Sequence, residues 1–435
     1  MFGYYLDLAL RSFRRNKVLT TLMVLALGLG IGASITTLTV LRLLSGDPLP
    51  QKSARLFTPE LNPLTAKDSS GAGPAPMGDL VAYVDAMNLL RAHKAQRQAA
   101  MALTGVKISS PRPNQSPFFS NGVMTTADFF AMFDAPFQYG TGWTAQSGQD
   151  AARVVVIGQR LNDKLFGGRD SVGKTIRVND RDYRVIGVLR HWAPQPSFYS
   201  VSLSQDSSYG NGDSVFMPLR SARADKMGPE SVNCWQSAAG SLETSPSCAW
   251  LSVWVELVEP SGAQAYRTFL ANYVDAQIAA GRFHLHQQWL PNLMGFLAQQ
   301  QVVPDDAFLQ TWLAFGFLLI CVVGTVGLLL AKCLGRAHEI GVRRAMGASR
   351  VTLFAQFMVE SALVGIAGGV LGLGVAELGL WEIRHEPVQY AHLAHLDPAM
   401  FLATFAVALV ASLIAGILPA VRACLVAPAP QLKSV

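Results

Sequence analysis

Gly168, Gly173, Lys174 and Thr175 stand at the spacing G-x-x-x-x-G-K-T, the pattern of a loop whose backbone N–H groups and lysine hold nucleotide phosphates. That chemistry needs a strand before the loop and a helix after it, so that the helix N-terminus faces the phosphate. Here the order is reversed. Residues 159–166 have helical spacing, and the residues after Lys174 alternate apolar and polar on both sides of Asn179-Asp180, a hairpin signature. No apolar strand ending in aspartate supplies a Mg²⁺ ligand, so the segment reads as a glycine-rich turn. His392 and His395 can share a helical face, but only Asp397 stands near them, too small a donor set for a metal site. His284 and His286 alternate as in a strand or loop, a weaker signal still. No serine–histidine–aspartate set or placed carboxylate pair emerges. The chain is expected to carry no catalytic, cofactor-binding or metal-binding residues of its own.

Five cysteines are too few for a disulfide scaffold. Cys321, Cys333 and Cys424 lie in or beside apolar segments, where a small, weakly polar side chain packs easily. Cys234 and Cys248 fall in a polar, serine-rich stretch. They are expected to close a short loop by a disulfide if that stretch faces an oxidising compartment, and to be two free thiols otherwise.

Half of the residues are hydrophobic and 15% are charged, against roughly 25% charged in a soluble domain, so part of the chain must lie in an apolar solvent. The apolar residues gather in four segments, at about 18–44, 307–331, 353–380 and 398–418, each near the roughly 20 residues that span a bilayer core. The first run exceeds the roughly 7–15 residues of a cleavable signal and reads as a retained anchor. The net charge of +6 sits beside these segments, which marks topology and a lipid partner rather than a nucleic-acid face. Arg11, Arg14, Arg15 and Lys17 precede the first segment; Lys332, Arg336, Arg343, Arg344 and Arg350 lie between the second and third; Arg422 and Lys433 follow the fourth. Asp305, Asp306, Glu382, Glu386 and Asp397 mark the opposite ends. Both termini and the 332–352 loop are therefore expected in the cytoplasm, with residues 45–306 and the short loop 381–397 outside.

Gly28 and Gly32 in the first segment, and Gly365 and Gly369 in the third, have the four-residue spacing of closely packed helices, either within one subunit or between two. Glu360 and Glu377 are ionisable residues inside the third segment, expected to make interfacial or intra-bundle hydrogen bonds. The outer residues combine helical spacing at 81–94 and 261–280 with strand patterns at 153–158, 174–189, 215–219 and 250–258. Thr126 or Asp128 is placed to cap a helix before Phe133. The fold class is thus a membrane protein with four transmembrane helices and a large α+β extracytoplasmic domain between the first and second.

The loop from Gly335 to Val351 resembles the signature of the FtsX-like permeases, the membrane subunits of MacB-type ABC transporters, with a nearly complete match over Glu339–Ala348. Leu418-Pro419-Ala420 and the following residues resemble that family's ending of the fourth helix. Phe129-Phe130, Gly140, Gly142 and residues 154–189 are similar to the MacB periplasmic core domain, while 195–300 match thinly. The resemblance implies a bacterial inner-membrane subunit with a cytoplasmic amphipathic helix at 1–17, a periplasmic domain at 45–306, a coupling loop at 332–352 and a cytoplasmic tail at 419–435. It implies that Glu339, Ile340, Gly341, Arg343, Arg344, Met346 and Gly347 dock on an ATPase, the arginines making polar contacts, Ile340 and Met346 filling apolar pockets, and the glycines allowing sharp turns. The chain begins about 17 residues before its first apolar segment, so the ATPase, which would bind ATP and Mg²⁺, is expected as a separate polypeptide. Further partners implied are a second permease copy or a paralogue, and a periplasmic adaptor with an outer-membrane channel. Export of a substrate is the leading expectation. A scaffold that activates an extracytoplasmic partner and a lipoprotein-releasing permease are the alternatives.

Overall fold

The computed structural model describes residues 16–63, 78–109, 116–203, 209–210, 212–236, 240–258, 260–386 and 390–425. The amphipathic segment expected near the N-terminus, the tail at 426–435, nearly all of a polar loop at 68–78 and part of another at 202–214 lie outside them. The chain divides into two compact units, Met1–Ser45 with Val303–Val435, and Gly46–Val302.

Among its described residues the first unit holds four helices long and apolar enough to cross a membrane: Lys17–Leu44, Asp305–Leu334, Arg350–His385 and Pro398–Leu425, here the first to fourth spans. Each helix outruns its apolar core. The third has 36 residues, or about 54 Å at 1.5 Å per residue. Its start is set by Ser349, whose hydroxyl accepts the Thr352 N–H at 3.1 Å. Asp305 and Asp306, read from sequence as a flank, form the first turn of the second span, where carboxylates meet the positive end of the helix dipole.

In lipid, apolar side chains gain little by leaving one apolar solvent for another, so helices associate through close packing. Gly28 and Gly32 present bare backbone to the third span: a Cβ on them would stand 2.6 and 2.5 Å from the Leu371 and Val375 side chains. Gly365 and Gly369 do the same toward the fourth span. A Cβ on Gly365 would meet the Ala408 carbonyl at 2.9 Å, and one on Gly369 the Ala408 side chain at 3.0 Å. The third span is therefore held between the first and the fourth. Ser34 adds a polar tie, its hydroxyl donating to the Ala314 carbonyl of the second span at 3.1 Å.

The second unit is built on strands β1 (Arg97–Ser109), β2 (Phe118–Thr125), β3 (Phe137–Gly140), β4 (Val154–Ile157), β5 (Thr175–Val178), β6 (Arg181–Leu189), β7 (Val215–Pro218) and β8 (Cys248–Glu256). Pairing runs β8-β1-β2-β7-β4-β6-β3. Because β5 pairs with both β6 and β1, the path β1-β2-β7-β4-β6-β5 returns on itself as a closed ring. β4 and β6 are parallel, joined through the helix Gln159–Phe166, while Asn179 and Asp180, at φ +44° and +65°, turn the β5–β6 hairpin. β5 alternates exposed and buried residues as a one-sided strand must, and β4 and β8 are buried throughout.

Phe129 is fully buried and sits edge-on to Phe130, Phe133, Trp192 and Tyr199, with centroids 5.0–5.8 Å apart. The expected cap before it takes another form. The helix is only Phe129–Met132, and Asp128 makes no side-chain cap. Instead Asp128 accepts the Gln98 N–H at 3.1 Å, and Thr126 accepts the Ala100 N–H at 3.2 Å. The pairing of β1 with β2 ends at Met101–Thr125, so those edge N–H groups need another acceptor.

Among the described residues the buried Glu60 and the half-buried Asp213 meet no cation. Burial pushes Glu60 up to about 7, with Gln299 donating to it and Asp79 adding repulsion. Burial likewise pushes Asp213 up to about 6, although it accepts the Tyr199 hydroxyl at 2.9 Å. Between the ordinary carboxyl range and about 7 the folded state holds more protons than the unfolded chain, so stability falls as pH rises through that window. Tryptophan-monitored melting of the purified chain is expected to occur roughly 2–4 °C higher at pH 5 than at pH 7.5, with Glu60→Gln flattening the difference. Gly32→Ala and Gly365→Ala are expected to destabilise the helix bundle by about 1–3 kcal/mol. Gly374→Ala, whose Cβ meets nothing within 4 Å, is expected to be neutral or stabilising in the same detergent melts.

Candidate functional site

Between the second and third spans the chain forms a helix rather than an open loop. Gly335 and Arg336 turn the backbone out of the second span, and Ala337–Ala345 is helical, with Glu339 in its first turn and Arg343 and Arg344 in its last. That charge order follows the helix dipole. Gly347, at φ +97°, makes the turn back, and Ser349 starts the third span.

One side of this loop helix is committed to the bundle. Ile340 is 4% exposed and packs with Cys333, Leu353, Phe357 and Ala420. This corrects the expectation that Ile340 fills a pocket on a partner: its own chain buries it. Gly341 is also buried and lies within the helix, so of the two expected turn glycines only Gly347 makes a sharp turn. Arg343 pairs with Glu339 one turn back and donates to Gln356 of the third span at 3.1 Å. Met346 points outward and is 76% exposed, while Arg344 is half-buried.

Leu353, Gln356, Phe357 and Glu360 fall at i, i+3, i+4 and i+7, a single face of the third span. The loop helix lies along that face. At its far end Glu360, 2% exposed at the side chain, pairs with the equally buried Lys332 and lies 3.7 Å from Arg336. Lys332, counted from sequence among the loop charges, thus belongs to the last turn of the second span. A signal for this pairing existed: an ionisable residue in an apolar segment calls for a partner, and Lys332 is the cation at the matching end of the neighbouring span. Glu377 is half-exposed and pairs with Arg384 on its own helix at 2.7 Å.

The other chemistry-bearing residues remain apart. In the Gly168–Thr175 segment the N–H groups serve the domain itself: Gly173 donates to Val185, Lys174 to Ser171, and Val172 to Asp170. The Lys174 ammonium lies 5.0 Å from the Phe166 ring, and β5 follows. His286 pairs with Asp275, and His395 lies 3.4 Å from Arg384. No cluster of three or more metal-ligating side chains occurs among the described residues. Cys234 and Cys248 occupy paired positions on neighbouring strands and form a disulfide. Cys321 and Cys333 are buried and lie outside any disulfide.

Residues 20–267 match the MacB-like periplasmic core domain, and residues 312–426 match the FtsX-like permease C-terminal region. The macrolide export ATP-binding/permease protein MacB of Azoarcus sp. (strain BH72) is 22% identical over 98% of this chain and 58% of its own length. The pyoverdine export ATP-binding/permease protein PvdT of Pseudomonas syringae pv. tomato is 26% identical over 70% of this chain and 42% of its own. MacB of Neisseria gonorrhoeae is 25% identical over 52% of this chain and 30% of its own. The chain thus spans between about a third and three-fifths of the length of these curated relatives. Among solved structures, the periplasmic region of MacB from Actinobacillus actinomycetemcomitans aligns with a TM-score of 0.36 and 14% identity, covering 57% of this chain and 94% of that one.

Proposed function

This chain belongs to the family built on the MacB-like periplasmic core domain and the FtsX-like permease region, and from that membership we propose that it couples ATP hydrolysis in an ATPase partner to movement of its α/β domain and extrusion of a substrate. The observation that carries the reading is the loop helix. Its inner side is locked to the third span through Ile340 and Arg343, and its outward end offers Met346 beside Arg344. A force applied at that end reaches the third span directly, and the glycine contacts carry it on to the first and fourth spans.

In this reading the partner holds ATP and Mg²⁺, a second permease copy or a paralogue completes the assembly, and an adaptor with an outer-membrane channel receives the substrate. The distribution of lysine and arginine supports a multi-pass inner-membrane protein with both termini and the loop helix in the cytoplasm. The Cys234–Cys248 disulfide supports a periplasmic setting for the α/β domain. On this assignment the outward Met346 and the half-buried Arg344 beside it meet the ATPase, with Glu339, Ile340, Gly341, Arg343 and Gly347 holding the helix in shape.

Detergent co-purification tests the coupling. Wild type is expected to bring down an ATPase, and Arg344→Glu with Met346→Asp to reduce the recovered ATPase activity by roughly tenfold, the factor that about 1.4 kcal/mol of lost contact produces. Wild type arriving without an ATPase removes the engine and leaves an extracytoplasmic scaffold as the better reading. Orientation is tested by a membrane-impermeant maleimide: Asp182→Cys is expected to label in intact spheroplasts, and Met346→Cys only after lysis. The reverse pattern overturns the topology.

A further inference from the structure

Lys332, Arg336 and Glu360 place three charges where the last turn of the second span, the start of the loop helix and the third turn of the third span meet. Lys332 and Glu360 are each 2% exposed at the side chain, and Arg336 is 13% exposed. Burying such a set is a poor way to gain stability. A buried ion pair is often no better than a well-packed apolar pair of similar volume, whereas removing one partner strands a charge and destabilises strongly. Cys333, Leu353 and Phe357, next to these residues along the same two spans, belong to a buried apolar cluster.

What the apolar alternative lacks is geometry. Glu360 offers two oxygens, one toward Lys332 and the other toward Arg336. Lys332 and Arg336 are one helical turn apart and bracket Gly335, the point at which the chain leaves the second span. Arg336 is also the N-cap position of the loop helix, and its carbonyl accepts the Ile340 N–H at 3.0 Å. We propose that Glu360 is a positioning residue that pins this corner, so that the loop helix, the end of the second span and the first three turns of the third span move as one lever. The proposal deepens the coupling role above and names the residue that makes the coupling stiff. Without the pin, a push on the loop helix bends the corner at Gly335 instead of moving the third span.

The test uses the full chain in detergent and needs no ATPase. Hydrogen exchange of the 337–345 amides and the melting temperature are measured for wild type, Glu360→Gln, Glu360→Asp, and the double variant Lys332→Met with Glu360→Leu. Glu360→Gln is expected to lower the melting temperature and to speed loop-helix exchange roughly tenfold or more. Glu360→Asp keeps the charge and is expected to recover much of the protection. The double variant decides between pin and filler: the melting temperature recovers part of the loss seen in Glu360→Gln because no buried lysine is stranded, while loop-helix exchange stays fast because the Glu360–Arg336 pair is gone. If Glu360→Gln fails to fold, the double variant still reads the proposal. Wild-type protection of 337–345 in the double variant overturns it, because the other contacts of the loop helix, those of Ile340 and Gln356 among them, would then hold it. Fast exchange together with no ATPase in the wild-type co-purification sinks the coupling function but leaves the pin standing.

Discussion

The membrane unit depends on how closely its helices approach one another. Water drives a soluble core together, but lipid is as apolar as leucine, and helices in it are held by contact and by the few polar bonds they can make. The third span meets both needs. Gly365 and Gly369 bring it against the fourth span, and Leu371 and Val375 fill the space that Gly28 and Gly32 leave on the first. Where the apolar segment gives way to polar sequence, Glu360 replaces packing with paired charge, and Gln356 and Leu353 complete the seat of the loop helix. Two kinds of adhesion thus follow one another along a single helix.

The α/β unit solves a different problem. It has water to drive its collapse, and six of its strands close into a ring, which leaves fewer exposed strand edges to invite association. Where closure leaves N–H groups without a strand partner, short polar side chains supply acceptors, as Thr126 and Asp128 do for β1. Among the described residues the interior also holds polar atoms without a protein partner, Trp254 Nε1 and Tyr266 Oη among them, while one neutral hydrogen bond reaches each of the acids Glu60 and Asp213. Their raised affinity for protons shows that burial outweighs the single neutral hydrogen bond each receives.

The spans, the β5–β6 hairpin and the helix Gln159–Phe166 were legible because each carries a pattern that one principle decides: length against bilayer thickness, a residue pair that tolerates positive φ, and helical spacing. The same local logic demoted the Gly168–Thr175 motif, since its neighbours have the wrong order for phosphate binding. It failed at Ile340. The motif marks that residue as part of a coupling segment, but whether an isoleucine on an amphipathic helix faces a partner or its own chain depends on what lies beneath it. It failed at Lys332 too, because apolar content reports where lipid ends and not where hydrogen bonding of the helix ends.

By itself, the sequence determined the number of spans, their order, the family signature between the second and third, and the mixed character of the domain inserted after the first. These follow from composition and period, which act over one turn or one strand. Only the tertiary structure decided that β5 returns to β1 to close the ring, that Cys234 lies opposite Cys248, and that Lys332 meets Glu360 across two helices. Each of those contacts joins residues whose spacing along the chain carries no period. Their meeting depends on the rotation of each helix and the register of each strand, which packing sets once the elements have formed.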